Sequence, residues 1–310
     1  MNELFSLPVL LGIIYSGVRL ATPYLYASIG ETFAQTSGVY NLGVEGMMLM
    51  GAYSGFYVGM KSGNLWLGLL AAAATGGVMG LVMAVISVTL KAEQGISGIG
   101  LSLFGLGLSS LLFTETLGSA VSINGFPSVR IPLLGSIPYI GDVLFNHNVL
   151  VYGAFLLVPI ATWVLNKTTF GLKVRAAGQN PQAADSLGVN VNQIRYTTVI
   201  IGGVLAGIAG ASLSIALIDL FQQNMTNGMG YIAVALVYFG GWRPYGVMGG
   251  ALLFSFVNAL QLWIQVKGVP IPSDVALMMP YILTIVALAF AVRRTQQPAA
   301  LSKPFERGEN

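Results

Sequence analysis

The sequence predicts an all-α, polytopic membrane protein, a single transmembrane domain over residues 1–310, on three observations. Hydrophobic residues make up 55% of the chain and charged residues 8%, with a mean hydropathy of +0.76; soluble domains carry roughly a quarter charged residues, so this chain has too few to coat a water-facing surface. Its apolar runs reach the about 20 residues that span a bilayer as helix. Strand-like alternation along them is weak, which argues against a barrel.

The same composition excludes several classes of function. A formal charge of +3 is too small to suggest nucleic acid as a partner. With no cysteine there is no disulfide framework and no thiol chemistry. The N-terminus lacks a basic stretch followed by a small-residue cleavage site, so the chain reads as mature from Met1.

Taken in order, the first span is expected over about Leu4–Tyr26, with Pro23 near its end and Arg19 snorkelling to the nearer interface. Glu31 to Gly46 follows, a polar and glycine-rich stretch entering an apolar region that ends near Met60. Non-helical backbone at membrane depth must be buried in protein or line water, so an interrupted helix is the reading. Asn41 and Glu45 lie four apart, on one helical face. An intramembrane carboxylate is a functional candidate by default; the bland alternative is that Glu45 pairs with backbone donors or a neighbouring helix.

Leu65–Leu90 and Ile96–Thr116 are the next spans, joined by the tight polar turn Lys91–Gly95. The loop Leu117–Asn148 holds the single histidine, His147, which has no second histidine or cysteine to complete a metal site. Val149–Asn166 spans again. Lys167 to Gln193 is then the longest polar interval with helix signals. Asn180 can cap a helix, Pro181 suits its first position, and Gly188 can close it in the left-handed conformation. A helix of about two turns is too short to stand alone and needs a partner surface; Ala183, Ala184 and Leu187 offer a small apolar face.

Tyr196–Leu217 spans, Asp219–Asn227 is polar, and Gly228–Gly241 is apolar but short, broken by Gly240–Gly246. Val247–Val266 and Val275–Val292 are the last spans, followed by a polar tail over residues 293–310. The sum is about nine crossings, roughly eight to ten, some short or broken. Broken regions in both halves suggest an inverted repeat with a pathway between its halves. The pairs Gly51/Gly55, Gly76/Gly80, Gly203/Gly207 and Gly246/Gly250 have the spacing that lets helices approach closely.

Charge placement orients the chain. With the 167–195 loop inside, Lys91, Lys167, Lys173, Arg175, Arg195, Arg243, Arg293, Arg294, Lys303 and Arg307 are cytoplasmic. Lys61, Arg130 and Lys267 are outside. That bias puts the N-terminus outside and the C-terminus in the cytoplasm. No stretch matches the phosphate-cradling Gly-x-x-x-x-Gly-Lys-Ser/Thr, His-Glu-x-x-His or Gly-x-Ser-x-Gly, so the chain is not expected to hydrolyse ATP or act as an enzyme.

Ser37-Gly-Val-Tyr-Asn-Leu-Gly-Val-Glu-Gly-Met-Met48 resembles the Ser-Gly-x-x-Asn-Leu-Gly-x-Glu-Gly-Met-Met signature of ABC importer permeases of the branched-chain amino acid, ribose and nucleoside type. Its wording is nearest the nucleoside and simple-sugar branch. Thr169 to Ala184 resembles that family's cytoplasmic coupling segment, and Gly230 to Gly246 its late short helix and Gly-x-Trp-x-Pro turn. The match runs from about Thr22 to Val292 and departs at Ser97–Gly100, where the nucleoside branch often carries a more polar run with an asparagine.

The resemblance implies a non-catalytic subunit of a bacterial cell-membrane importer that works by alternating access. It implies a second permease subunit, often a different chain. It also implies a cytoplasmic ATPase that uses ATP and Mg, and an extracellular solute-binding lipoprotein. Nucleosides are the favoured cargo and ribose-like sugars the second; this chain itself would bind no cofactor and no metal. Carried onto this sequence, the coupling positions are Gly171, Arg175, Gly178, Asn180, Pro181, Ala183, Ala184, Leu187 and Gly188. Asn41, Glu45, Tyr238 and Asn258 are the candidates for the solute path, which needs a mostly apolar lining with a few hydrogen-bonding groups and an aromatic face. The competing class is an ion-driven secondary transporter with Glu45 and Glu31 as proton or cation sites; a docking helix has no purpose in such a carrier.

Overall fold

Helix α1 runs unbroken from Leu7 to Thr36, ten residues past the end expected for the first span. The computed structural model describes residues 7–132, 135, 137, 140–267 and 297–306, with isolated positions at 272, 275, 278–280, 282, 285, 286 and 289. The polar second half of α1 stays helical because its hydroxyls bond back to the preceding turn. Ser28 Oγ donates to the Tyr24 carbonyl at 2.5 Å and Thr32 Oγ1 to the Ser28 carbonyl at 2.7 Å. Arg19 Nη2 donates to the Leu217 carbonyl, 3.4 Å away, just past the C-terminal end of α9 (Val191–Ala216), where a helix dipole favours a cation.

After a break at residues 37–43 come α2 (Val44–Ser62) and α3 (Leu65–Ala84), the latter extended by a π-turn over Val85–Thr89. Glu93 caps α4 (Gln94–Thr116), accepting from the backbone N–H groups of Gly95 and Ile96. The long loop is not featureless. Strands β1 (Ser128–Arg130) and β2 (Asn146–Asn148) pair antiparallel, Val129 opposite His147, around the short helix α5 (Ile140–Leu144). His147 is buried, with Nε2 2.8 Å from the Val143 carbonyl and its ring stacked on Tyr15.

Helix α6 (Val149–Lys167) leads into two helices, α7 (Thr169–Gln179) and α8 (Pro181–Ser186), where the sequence suggested one. Then follow α9, α10 (Met229–Phe239) and α11 (Pro244–Val266). Among the described residues six helices are long and apolar enough to cross a membrane: α1, α3 with its π-turn, α4, α6, α9 and α11. α2 is a nineteen-residue helix, largely buried, and α10 is a shorter apolar one. The expected last span, Val275–Val292, lies outside the described residues apart from isolated positions.

Helix α9 is the hub, packed against α1, α2 and α3. Glycine is what lets the backbones meet there. A Cβ at Gly203 would overlap the Gly76 carbonyl, and one at Gly51 or Gly76 would overlap backbone at Gly207 or Gly203. The small-residue spacing in the sequence is thus spent on packing.

Candidate solute path and coupling surface

The two broken regions meet. In the first, Asn41 Oδ1 accepts from the Gly43 N–H at 2.9 Å and the Tyr40 N–H donates to Gln94 Oε1 at 2.7 Å. These side chains satisfy backbone groups that an interrupted helix leaves open. Glu31, fully buried at the end of α1, accepts from the Asn41 N–H at 3.0 Å and from Gln35 Nε2 at 3.1 Å. Gln35 Oε1 in turn accepts from Trp242 Nε1 at 2.9 Å. A polar chain therefore runs from the first break to the turn between α10 and α11. Tyr40 and Tyr238 meet edge to face beside it, and Tyr238 packs on Trp242 with centroids 4.9 Å apart.

Glu45 makes the second junction. Its carboxylate accepts from Thr226 Oγ1 at 2.5 Å, the Gly228 N–H at 2.8 Å and the Gly230 N–H at 2.6 Å. The first turn of α10 has unsatisfied donors and a partial positive charge, and a carboxylate from α2 meets both. This is the structural alternative weighed for Glu45 in the sequence.

Three cavities flank α10. Two lie at its N-terminal end. One, about 250 Å³, is lined by Tyr24, Thr226, Asn227, Phe254, Asn258 and Gln261, among others. The other, about 220 Å³, is lined by Glu45, Ser102, Asn224, Asn227 and Tyr231, among others. The third, about 770 Å³, lies at the C-terminal end of α10, lined by Thr36, Asn166, Arg175, Gln179, Trp242 and Arg243, among others. An eleven-residue helix is about 16 Å long, so α10 separates the cavities at its two ends. Of the four expected path residues, Asn258 lines a cavity directly and Glu45 borders one with its side chain otherwise engaged. Tyr238 stands in the aromatic junction, and Asn41 is fully buried, closing the first break. Gln261, Asn227 and Gln35 were not singled out in the sequence, and Trp242 stood there only as the tryptophan of the Gly-x-Trp-x-Pro turn. Gln35 carries a signal in being one turn beyond Glu31; Gln261 and Asn227 carry none.

Beside the large cavity sit α7 and α8. Thr168 caps α7, accepting from the Gly171 N–H at 3.1 Å, and Asn180 caps α8, accepting from the Ala183 N–H at 3.0 Å. Pro181 holds the first position of α8, and Gly188 turns the chain out of it with φ +83°. Gly171 and Gly178 are contact points. A Cβ at Gly171 would overlap the last turn of α6, and one at Gly178 would overlap the Thr36 carbonyl at the end of α1. Ala184 faces the protein's own core while Ala183 is exposed and Leu187 is 86% exposed. With Leu172, Lys173, Arg175 and Gln182, also exposed, they make an outward surface of mixed apolar and basic character. Among the described residues no cluster of histidine, aspartate and glutamate could hold a metal ion.

A bundle of membrane-length helices, with two breaks joined by polar contacts, cavities at both ends of a short helix and an outward helical shelf beside the larger one, defines a transmembrane permease. The chain belongs to the branched-chain amino acid transport system/permease component family, whose model matches residues 13–288. It is 39% identical to the putative glucose ABC transporter permease protein TsgC13 of Haloferax volcanii, over 96% of this chain and 98% of that one. It is 35% identical to the nucleoside ABC transporter permease protein NupC of Lactococcus lactis, over 97% of each. It is 34% identical to the guanosine ABC transporter permease protein NupQ of Bacillus subtilis, over 93% of this chain and 94% of that one. No solved structure matches the chain.

Proposed function

We propose that this chain is the membrane-spanning subunit of an ATP-driven importer of nucleosides, working with a second permease subunit, a cytoplasmic ATPase and an extracellular solute-binding protein. The observation that carries the reading is the α7–α8 shelf. Its inner residues Gly171, Gly178 and Ala184 are locked onto the bundle, while Leu172, Arg175, Ala183 and Leu187 are left outward for a motor to grip. Positive-inside charge puts this shelf, the large cavity and the C-terminus in the cytoplasm.

Alternating access follows from the breaks. Solute from outside occupies the cavities at the N-terminal end of α10. Closure of the ATPase pushes on α7–α8, and the junction of Tyr40, Tyr238 and Trp242 opens toward the large cavity. Asn258, Gln261 and Asn227 offer amides to the edge of a base, and Tyr24 and Phe254 offer rings to its face. The names of the NupC and NupQ relatives support the nucleoside; the Haloferax relative supports a simple sugar as the second reading. Competition decides between them: uptake of labelled guanosine into cells expressing the whole transporter should be suppressed by unlabelled nucleosides and left untouched by excess glucose or ribose. Suppression by the sugars alone would move the cargo to the second reading.

A further inference from the structure

We infer that residues 297–306 are a coupling strap, clasped by Arg195, that ties the α7–α8 shelf to the α1–α2 break so that both move as one body. The inference rests on the reading of α7–α8 as the motor-docking surface and names the part that carries the stroke inward.

The segment touches five separate parts of the molecule in ten residues. The Ala300 N–H donates to the Gly178 carbonyl at the end of α7, at 2.9 Å. The Ser302 N–H donates to the Gly38 carbonyl inside the break, at 3.1 Å. The Lys303 carbonyl accepts from Arg195 Nη1 of α9, at 2.9 Å. Phe305 is buried in the same cluster as Ala184 of α8 and Val191 of α9. Glu306 pairs with Lys91 in the turn before α4. Its own turns, Leu301 to Pro298 and Lys303 to Ala300, are too short to hold it without these anchors.

Arg195 is the clasp. It is 1% exposed, and its Nε donates to the Ser37 carbonyl at 3.2 Å while Nη1 holds the strap. Among the described residues no carboxylate forms an ion pair with it. A buried guanidinium served by main-chain carbonyls of two distant segments holds both, because shifting either strips a charged donor of its acceptor. Gly38 makes room: its φ is +96°, and a Cβ there would crowd both Arg195 Nη2 and the Ala300 carbonyl. Gly178 adds the direct contact of α7 with Thr36 at the end of α1. A push on the shelf therefore reaches the break by two routes, and the strap is the one that also grips α8 and α9.

The test is the number of solute molecules moved per ATP hydrolysed by the whole purified transporter in proteoliposomes. Phe305→Ala should lower that ratio at least about fivefold, the lower end of ordinary coupling energies, with the ATPase still bound and hydrolysing. Lys91→Glu and Glu306→Lys should each lower it, and the two together should restore it. An unchanged ratio in Phe305→Ala and both reversals would overturn the strap. Loss of the ATPase from the single reversals would overturn it too, since the segment would then be docking surface. Should Phe305→Ala fail to reach the membrane, the charge swap alone decides. A wild-type transporter whose uptake ignores ATP would instead strike at the docking reading.

Discussion

Glu45 holds three donors that would otherwise be stranded within a membrane bundle, and this makes it a joint between α2 and α10. Glu45→Gln leaves one carbonyl oxygen for those donors and turns an amide N–H₂ toward the rest. The loss is about 1–3 kcal/mol for donors left unsatisfied, so the purified protein should unfold at a lower temperature and reach the membrane in smaller amount. An ion-coupled carrier with Glu45 as its proton site would show the opposite pattern, a normal fold with altered pH dependence of uptake. Asn258 is different in kind, because it lines a cavity and anchors nothing in the α1–α2 break. Asn258→Ala should raise the transport KM about two- to tenfold at unchanged membrane level. Asn41→Ala should instead lower stability, since its side chain closes the α1–α2 break. Equal KM for wild type and Asn258→Ala would remove that residue from the path.

At the scale of elements, α8 buries one face and exposes the other, and on the proposed reading the exposed face meets the ATPase. Leu187→Glu adds charge to an exposed position and should leave thermal stability within about 0.5 kcal/mol while the ATPase no longer co-purifies. Ala184→Glu puts a carboxylate into the core and should cost several kcal/mol, so it tests folding rather than docking. The ends of α8 were legible in the sequence because a cap is local: Asn180 satisfies a donor three residues away. The direction of its faces was not, because Ala184 and Leu187 are both apolar and three apart. What separates them is tertiary packing: Ala184 joins a core cluster with residues far away in the chain, Phe305 among them. The meeting of the breaks was hidden for the same reason, Gln35 and Trp242 being 207 residues apart. The extended α1 was missed because Ser28 and Thr32 look like the end of a span until their hydroxyls are seen bonding backward. The β1–β2 hairpin offers a further check through His147, whose pKa burial pushes below the ordinary value. Its unfolded form takes a proton near pH 6.5, so its share of stability is present above that value and lost as pH falls through the folded value. The unfolding temperature should drop from pH 7.5 to 5.5, and His147→Gln should flatten part of that drop; identical slopes would exclude His147 as the cause.

For the whole molecule, the fold class followed from composition because a bilayer admits few architectures for so apolar a chain. The breaks were visible as polar and glycine-rich interruptions, and the family motifs sit on them: Ser37–Met48 forms the first break and the start of α2, and Gly240–Gly246 the turn between α10 and α11. The structure adds their arrangement, with α10 standing between small cavities at one end and a large one beside the α7–α8 shelf. On the proposed reading, that arrangement would give a motor a surface to grip and the solute separate spaces on two sides. The claim that the stroke comes from ATP is tested most directly by uptake into proteoliposomes that hold the whole transporter, with the binding protein and labelled guanosine outside and ATP-Mg within. With no ion gradient present, guanosine should accumulate when the enclosed ATP is hydrolysable. It should not accumulate when a non-hydrolysable analogue replaces it, even under an imposed proton or sodium gradient. Accumulation driven by either gradient without hydrolysis would contradict the account.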